Sequence, residues 1–120
     1  MKILKTNIAD LEKSPLMLYK LTKSRATKSI SKLTDEELDK VYDVLAYCEY
    51  EDVNTKGETV TILSIMVDAD LVLAAQSATF RASFADILEV VGDSNFKIRI
   101  LTDVSKSGRK YMDCDLADVG

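Results

Sequence analysis

The chain of 120 residues contains no histidine. That removes the commonest general base, the commonest metal ligand and every histidine-containing catalytic triad. Cysteine is nearly absent too: Cys48 and Cys114 are the only two, and they form no C-x-x-C pair. Two thiols without histidine do not make a structural zinc site, and a cysteine nucleophile without a histidine lacks its base, so both read as reduced core thiols. There is no Gly-rich phosphate loop of the Walker or dinucleotide type. No apolar run approaches the ~20 residues that span a bilayer. The opening stretch, MKILKTNIADLEKS, lacks the apolar core and small-residue cleavage site of a signal peptide. The expectation is a cytoplasmic, non-enzymatic protein with no metal, no cofactor and no membrane partner.

What is present is an ordinary globular composition, 47% hydrophobic and 30% charged, on a chain long enough to bury one core without staples. The net charge is -4, so any attraction for nucleic acid must come from how charge is distributed rather than from its sum. Two stretches concentrate the positive charge. KLTKSRATKSISK (20–32) has five basic residues and no acid, and FKIRILTDVSKSGRKY (96–111) has five against one Asp. Between them TDEELD holds four acids in six residues. A solvated face explains either basic stretch taken alone.

The pattern along the chain changes period several times. Ser14 as N-cap and Pro15 at the first helical position predict a short helix through about Lys23, docked by Met17, Leu18 and Leu21. RATKSISK reads as a loop or extended arm, and Thr34 with Glu37 fits a capping box. From Lys40 the period becomes two: Tyr42, Val44, Ala46, Cys48 and Tyr50 form an apolar face of one strand, with Tyr47 on the other face. TVTILSIMV and LVLAAQSA supply two further strands, joined by short turns into an antiparallel meander. In SATFRASFADILEVVG the apolar residues Phe80, Phe84, Ile87, Leu88 and Val91 take helical spacing, with Ser77 or Thr79 as N-cap and Gly92 as stop. NFKIRILTDV and RKYMDCDL then form a hairpin.

Three strands, a helix and two strands is the element order of an oligonucleotide/oligosaccharide-binding (OB) fold, a five-stranded barrel with its helix between strands three and four. The expected organisation is mainly β: one OB domain over 34–120, with residues 1–33 adding a short helix and a basic arm packed on the barrel. On that plan Lys56 lies in the loop between strands one and two. Lys106, Arg109 and Lys110 lie in the loop between strands four and five, and these two loops line the usual OB groove. Lys97 and Arg99 face outward on strand four, Tyr47 outward on strand one and Tyr111 outward on strand five. Cations that track phosphates, with flat rings on which bases stack, are what a single-strand binder needs. The bland alternatives are that the charged hairpin blunts a sheet edge and that the two tyrosines cover strand edges.

The stretches LYKLTKS, YEDVNTKGE, QSATFRASFADILEVVG and SKSGRKYMDCDL resemble the small single-stranded DNA-binding proteins encoded by tailed phages of Gram-positive bacteria. The resemblance implies an OB-type fold that coats single strands during phage DNA replication in the host cytoplasm, and it favours Lys106, Gly108, Arg109 and Tyr111. Single-stranded DNA is the expected ligand, with RNA an alternative because no residue reads the 2′-hydroxyl. Replication proteins and a second copy of the chain are the candidate protein partners. The rival reading is a small phage module that binds or inhibits a host protein, its basic hairpin meeting an acidic surface.

Overall fold

The computed structural model describes all residues, 1–120. Its organising element is the run TVTILSIMVD, which forms strand β5, Thr59–Asp68. A continuous β-branched and apolar run suits a strand covered on both faces. Leu63, Ile65 and Val67 point into the main core, a cluster of 18 buried residues. Met66 points the other way, into a second cluster of seven with Leu11, Leu21, Ala46, Cys48, Tyr50 and Val72.

The strands before and after β5 build a five-stranded sheet in the order β1-β4-β5-β6-β2, from β1 (Lys2–Thr6), β4 (Ala46–Val53), β6 (Leu71–Ala75) and β2 (Thr27–Ser29). A second sheet of three strands runs β3-β7-β8, from β3 (Val41–Asp43), β7 (Phe96–Val104) and β8 (Lys110–Val119). Helix α3, Ala78–Val91, follows the meander as its spacing predicts, and buries Phe80, Phe84, Ile87 and Val91 in the main core. Ser77 caps it by accepting from the Phe80 N–H at 3.2 Å. Gly92 ends it with φ 58°, a conformation that favours glycine.

Two expectations need correction. Residues 41–51 are two strands, not one: the chain leaves the three-stranded sheet at Val44, whose N–H donates to the Phe96 carbonyl, and joins the five-stranded sheet at Leu45, whose N–H donates to Met66. Alternation survives this crossing because Tyr42 and Val44 bury in the main core while Ala46, Cys48 and Tyr50 bury in the second. The strands also do not close into a five-stranded barrel. The outer edge of β6 is taken by β2, which pairs with it in parallel from Thr27↔Val72 to Ser29↔Ala74. Strand β8 is therefore left at the edge of its own sheet.

The first 33 residues account for that difference. They lay β1 along β4, cross the sheet as a 3-10 turn (Leu11–Lys13) and helix α1 (Pro15–Thr22), and reach the opposite edge as β2. The expected Ser14 and Pro15 do start α1, although the Ser14 side chain makes no capping bond. The short helix α2, Asp35–Leu38, carries the full capping box, with Glu37 N–H to Thr34 Oγ1 at 3.2 Å and Thr34 N–H to Glu37 Oε1 at 3.1 Å. No helix is long and apolar enough to cross a membrane.

Candidate nucleic-acid interface

The β7–β8 hairpin is tied at its tip by its own serines. Ser105 N–H donates to the Arg109 carbonyl and Gly108 N–H to the Ser105 carbonyl, both at 2.9 Å. Arg109 N–H donates to Ser105 Oγ at 3.2 Å, and the Ser105 and Ser107 hydroxyls share a bond of 2.9 Å. Gly108 sits at φ 81°, which a residue with a Cβ adopts only with strain. This closed turn projects Lys106, Arg109 and Lys110, all exposed. The chain's four ion pairs are Lys23–Asp52, Lys28–Glu37, Arg81–Glu49 and Lys97–Asp43. All three tip cations are thus left without a carboxylate partner.

Tyr111 stands beside them but is half-buried. It lies directly opposite Asp103 on β7, and its hydroxyl donates to Asp103 Oδ2 at 3.4 Å. The Asp103 carboxylate pushes the phenol above its ordinary value of 10, with a smaller push from Asp113. A base stacked on this ring meets the negative charges of Asp103 and Asp113.

Lys97 and Arg99 face outward as the strand period requires, yet their cross-strand neighbours are acids. Lys97 Nζ lies 3.7 Å from Asp43 on β3, and Lys97 is opposite Asp118 on β8. Arg99 is opposite Asp115, and the next outward position, Leu101, is opposite Asp113. Opposite charges at these positions attract across the ladder. At ~3.3 Å per residue, Arg99 and Lys97 are also about 16 and 23 Å along β7 from Val104. The outer face of this sheet is of mixed sign, and the structure does not gather all five basic residues of the segment into one patch.

Tyr47 does not stand outward. Its ring meets Phe84 of α3 edge-on, with centroids 5.3 Å apart and an interplanar angle of 74°. The strand is held in this position by the Tyr47 N–H donating to Asn7 Oδ1 at 2.9 Å and by Thr6 Oγ1 donating to the Tyr47 carbonyl at 2.7 Å. Burial raises the phenol pKa, with a further contribution from Asp93. The reason is the crossing at Val44–Leu45: beyond it the odd positions of β4 turn toward α3. Lys56 is exposed in the β4–β5 turn, where Asn54 Oδ1 accepts from the Lys56 and Glu58 N–H groups at 2.9 and 3.0 Å. That tip carries one cation next to Glu58, on a different sheet from the β7–β8 tip.

Cys48 and Cys114 are both buried free thiols. Burial pushes them up to about 11 and about 12, respectively, far from the range of a reactive thiolate. No group of three Cys, Asp or Glu side chains converges in a way that holds a metal ion.

Tyr19 is not among the residues that the sequence pattern singles out. It is 52% exposed and is the sole aromatic among the exposed large side chains. The signal was available: with Met17, Leu18 and Leu21 turned inward, the 3.6 period turns Leu16, Tyr19, Lys20 and Lys23 outward. Comparison with protein-family models, with curated proteins and with solved structures finds no match for this chain.

Proposed function

We propose that the protein binds single-stranded nucleic acid, DNA in the first place, without catalysing a reaction on it. The observation that carries this reading is the β7–β8 tip: Lys106, Arg109 and Lys110 project, unpaired, from a turn closed by Ser105 and Gly108. In a chain of net charge -4, three cations left free on a tied turn are a place for phosphates, which supply most of the sequence-independent affinity of such proteins. The order of β4, β5, β6, α3, β7 and β8 supports an OB-type arrangement held open by β2. The bent β3–β4 segment, paired with β7 on one side and β5 on the other, serves both sheets as a first strand shared between them. The resemblance of SKSGRKYMDCDL and its companion stretches to phage single-strand binders supports a role in coating DNA during phage replication.

The test is fluorescence anisotropy of a labelled oligo-dT titrated with the protein at low salt, with duplex DNA as competitor. Binding that duplex does not displace supports the reading. Absence of binding at low salt ends it.

A further inference from the structure

Residues 1–33 hold eight of the chain's 16 basic residues and only two of its 20 acids, Asp10 and Glu12. This segment is the layer that crosses one face of the five-stranded sheet from its β1 edge to its β2 edge, a width of about 19 Å for four strand spacings. Its middle is α1, about 12 Å long. Leu21 is buried, while Leu16 and Tyr19 are exposed at 70% and 52%. Tyr19 therefore sits centrally on the outward stripe, with Lys20 next to it and Lys23 one turn on. Lys13 precedes the helix and Arg25 follows it.

Of these cations only Lys23 is engaged, 2.8 Å from Asp52. That bond, on balance, raises the Lys23 pKa. Lys13, Lys20 and Arg25 have no carboxylate partner within the ion pairs of the chain. The inward side of the helix is fixed independently: Leu21 packs in the second core, and the Tyr50 hydroxyl donates to the Thr22 carbonyl at 3.3 Å. The ring and its cations are thus presented by a rigid support, free of acids on the helix itself.

We infer that the outward face of α1 is a base-stacking surface for single-stranded nucleic acid, with Tyr19 as the stacking ring and Lys13, Lys20 and Arg25 as phosphate contacts. The inference rests on the single-strand reading and moves the stacking away from Tyr47 and Tyr111. Tyr47 is committed to Phe84 and Tyr111 faces Asp103; a base needs an uncovered ring face. Tyr19 is the most exposed of these three rings. Being exposed, it is also replaceable without loss of core packing.

The experiment measures oligo-dT affinity for wild type, Tyr19→Ala, Tyr19→Phe and the double variant Lys13→Gln/Lys20→Gln, with thermal unfolding as a control for the fold. Intrinsic tyrosine fluorescence is followed in the same titrations. The expected result is a loss of about fivefold or more for Tyr19→Ala, near-wild-type affinity for Tyr19→Phe, and weaker, less salt-dependent binding for the double variant. Wild-type fluorescence is quenched on binding, and Tyr19→Ala loses most of that quenching. Wild-type binding that Tyr19→Ala leaves unchanged overturns this inference while the single-strand reading stands. No wild-type binding overturns both. Binding to vesicles of anionic phosphatidylglycerol, abolished by Tyr19→Ala in a protein that ignores oligo-dT, reassigns the face to a membrane surface.

Discussion

Tyr111 and Asp103 face each other across the β7–β8 pair, the phenol hydroxyl donating to Asp103 Oδ2 at 3.4 Å. The one acid of the 96–111 stretch thus sits beside this ring and weakens the field of Lys106, Arg109 and Lys110. Asp103→Asn is expected to tighten oligo-dT binding about twofold at low salt, the size of one unit charge acting at ~10 Å through water. The gain fades at high salt as the charges are screened. An unchanged affinity at low salt would place the nucleic acid away from this tip.

The free edge of β8 is guarded by its own aspartates. Asp113 Oδ1 accepts from the Cys114 N–H and Asp115 Oδ1 from the Leu116 N–H, both at 2.9 Å. Unpaired edge donors invite pairing with a second chain, and charged side chains along an edge suppress it. Asp113→Ala/Asp115→Ala is expected to self-associate with rising concentration, seen by light scattering on a sizing column. A double variant with the elution and mass of wild type at every concentration would show that the aspartates do not protect the edge.

Cys48 and Cys114, pushed up to about 11 and about 12 by burial, remain thiols throughout the physiological range. Treatment of the folded protein with a thiol reagent at pH 8 is expected to label neither residue, and denaturant is expected to release both. Rapid labelling of the native protein would contradict their burial.

Glu37 is held at about 2, first by its bond to Lys28 at 2.6 Å and then by the Thr34 N–H. A carboxyl depressed in the folded state stabilises above its ordinary value near 4.5 and loses that contribution as pH falls toward 2. Since the Tyr42 hydroxyl donates to the Glu37 carbonyl at 2.6 Å, the near-ultraviolet tyrosine signal reports on this corner. Acid titration is expected to change that signal between about pH 4.5 and 2. Glu37→Gln is expected to lower the melting temperature at pH 7 and flatten the acid dependence. A variant whose acid profile matches wild type would remove Glu37 from the cause.

What the sequence made legible is what depends on near neighbours. Phe80, Phe84, Ile87 and Val91 announce α3, and the SKSG turn announces the last hairpin, because both patterns close within a few residues. The edge strands β1 and β2 did not show: LysIleLeuLysThr at 2–6 and ThrLysSer at 27–29 are short, partly exposed runs whose pairing comes from β4 and β6 far along the chain. The division of 41–51 was hidden because even positions are buried on both sides of the crossing. Charge misled for a related reason. Counting along 96–111 finds five cations, but the partners of Lys97 and Arg99 are Asp118 and Asp115, which follow on the next strand. Tyr19 does not stand out in the sequence because the pattern that marks α1 as a docking helix lies on its buried side, at Met17, Leu18 and Leu21.

The most direct measurement is the salt dependence of oligo-dT affinity for wild type and for Lys106→Gln/Arg109→Gln/Lys110→Gln, with Lys97→Gln/Arg99→Gln as the comparison. Each phosphate contact on a single strand contributes a slope of about -0.7 in log affinity against log salt. The triple variant is expected to bind more weakly and to flatten the slope by about 2, while the Lys97/Arg99 variant, whose cations already face acids, changes little. Equal slopes for wild type and the triple variant would contradict a nucleic-acid contact at the β7–β8 tip.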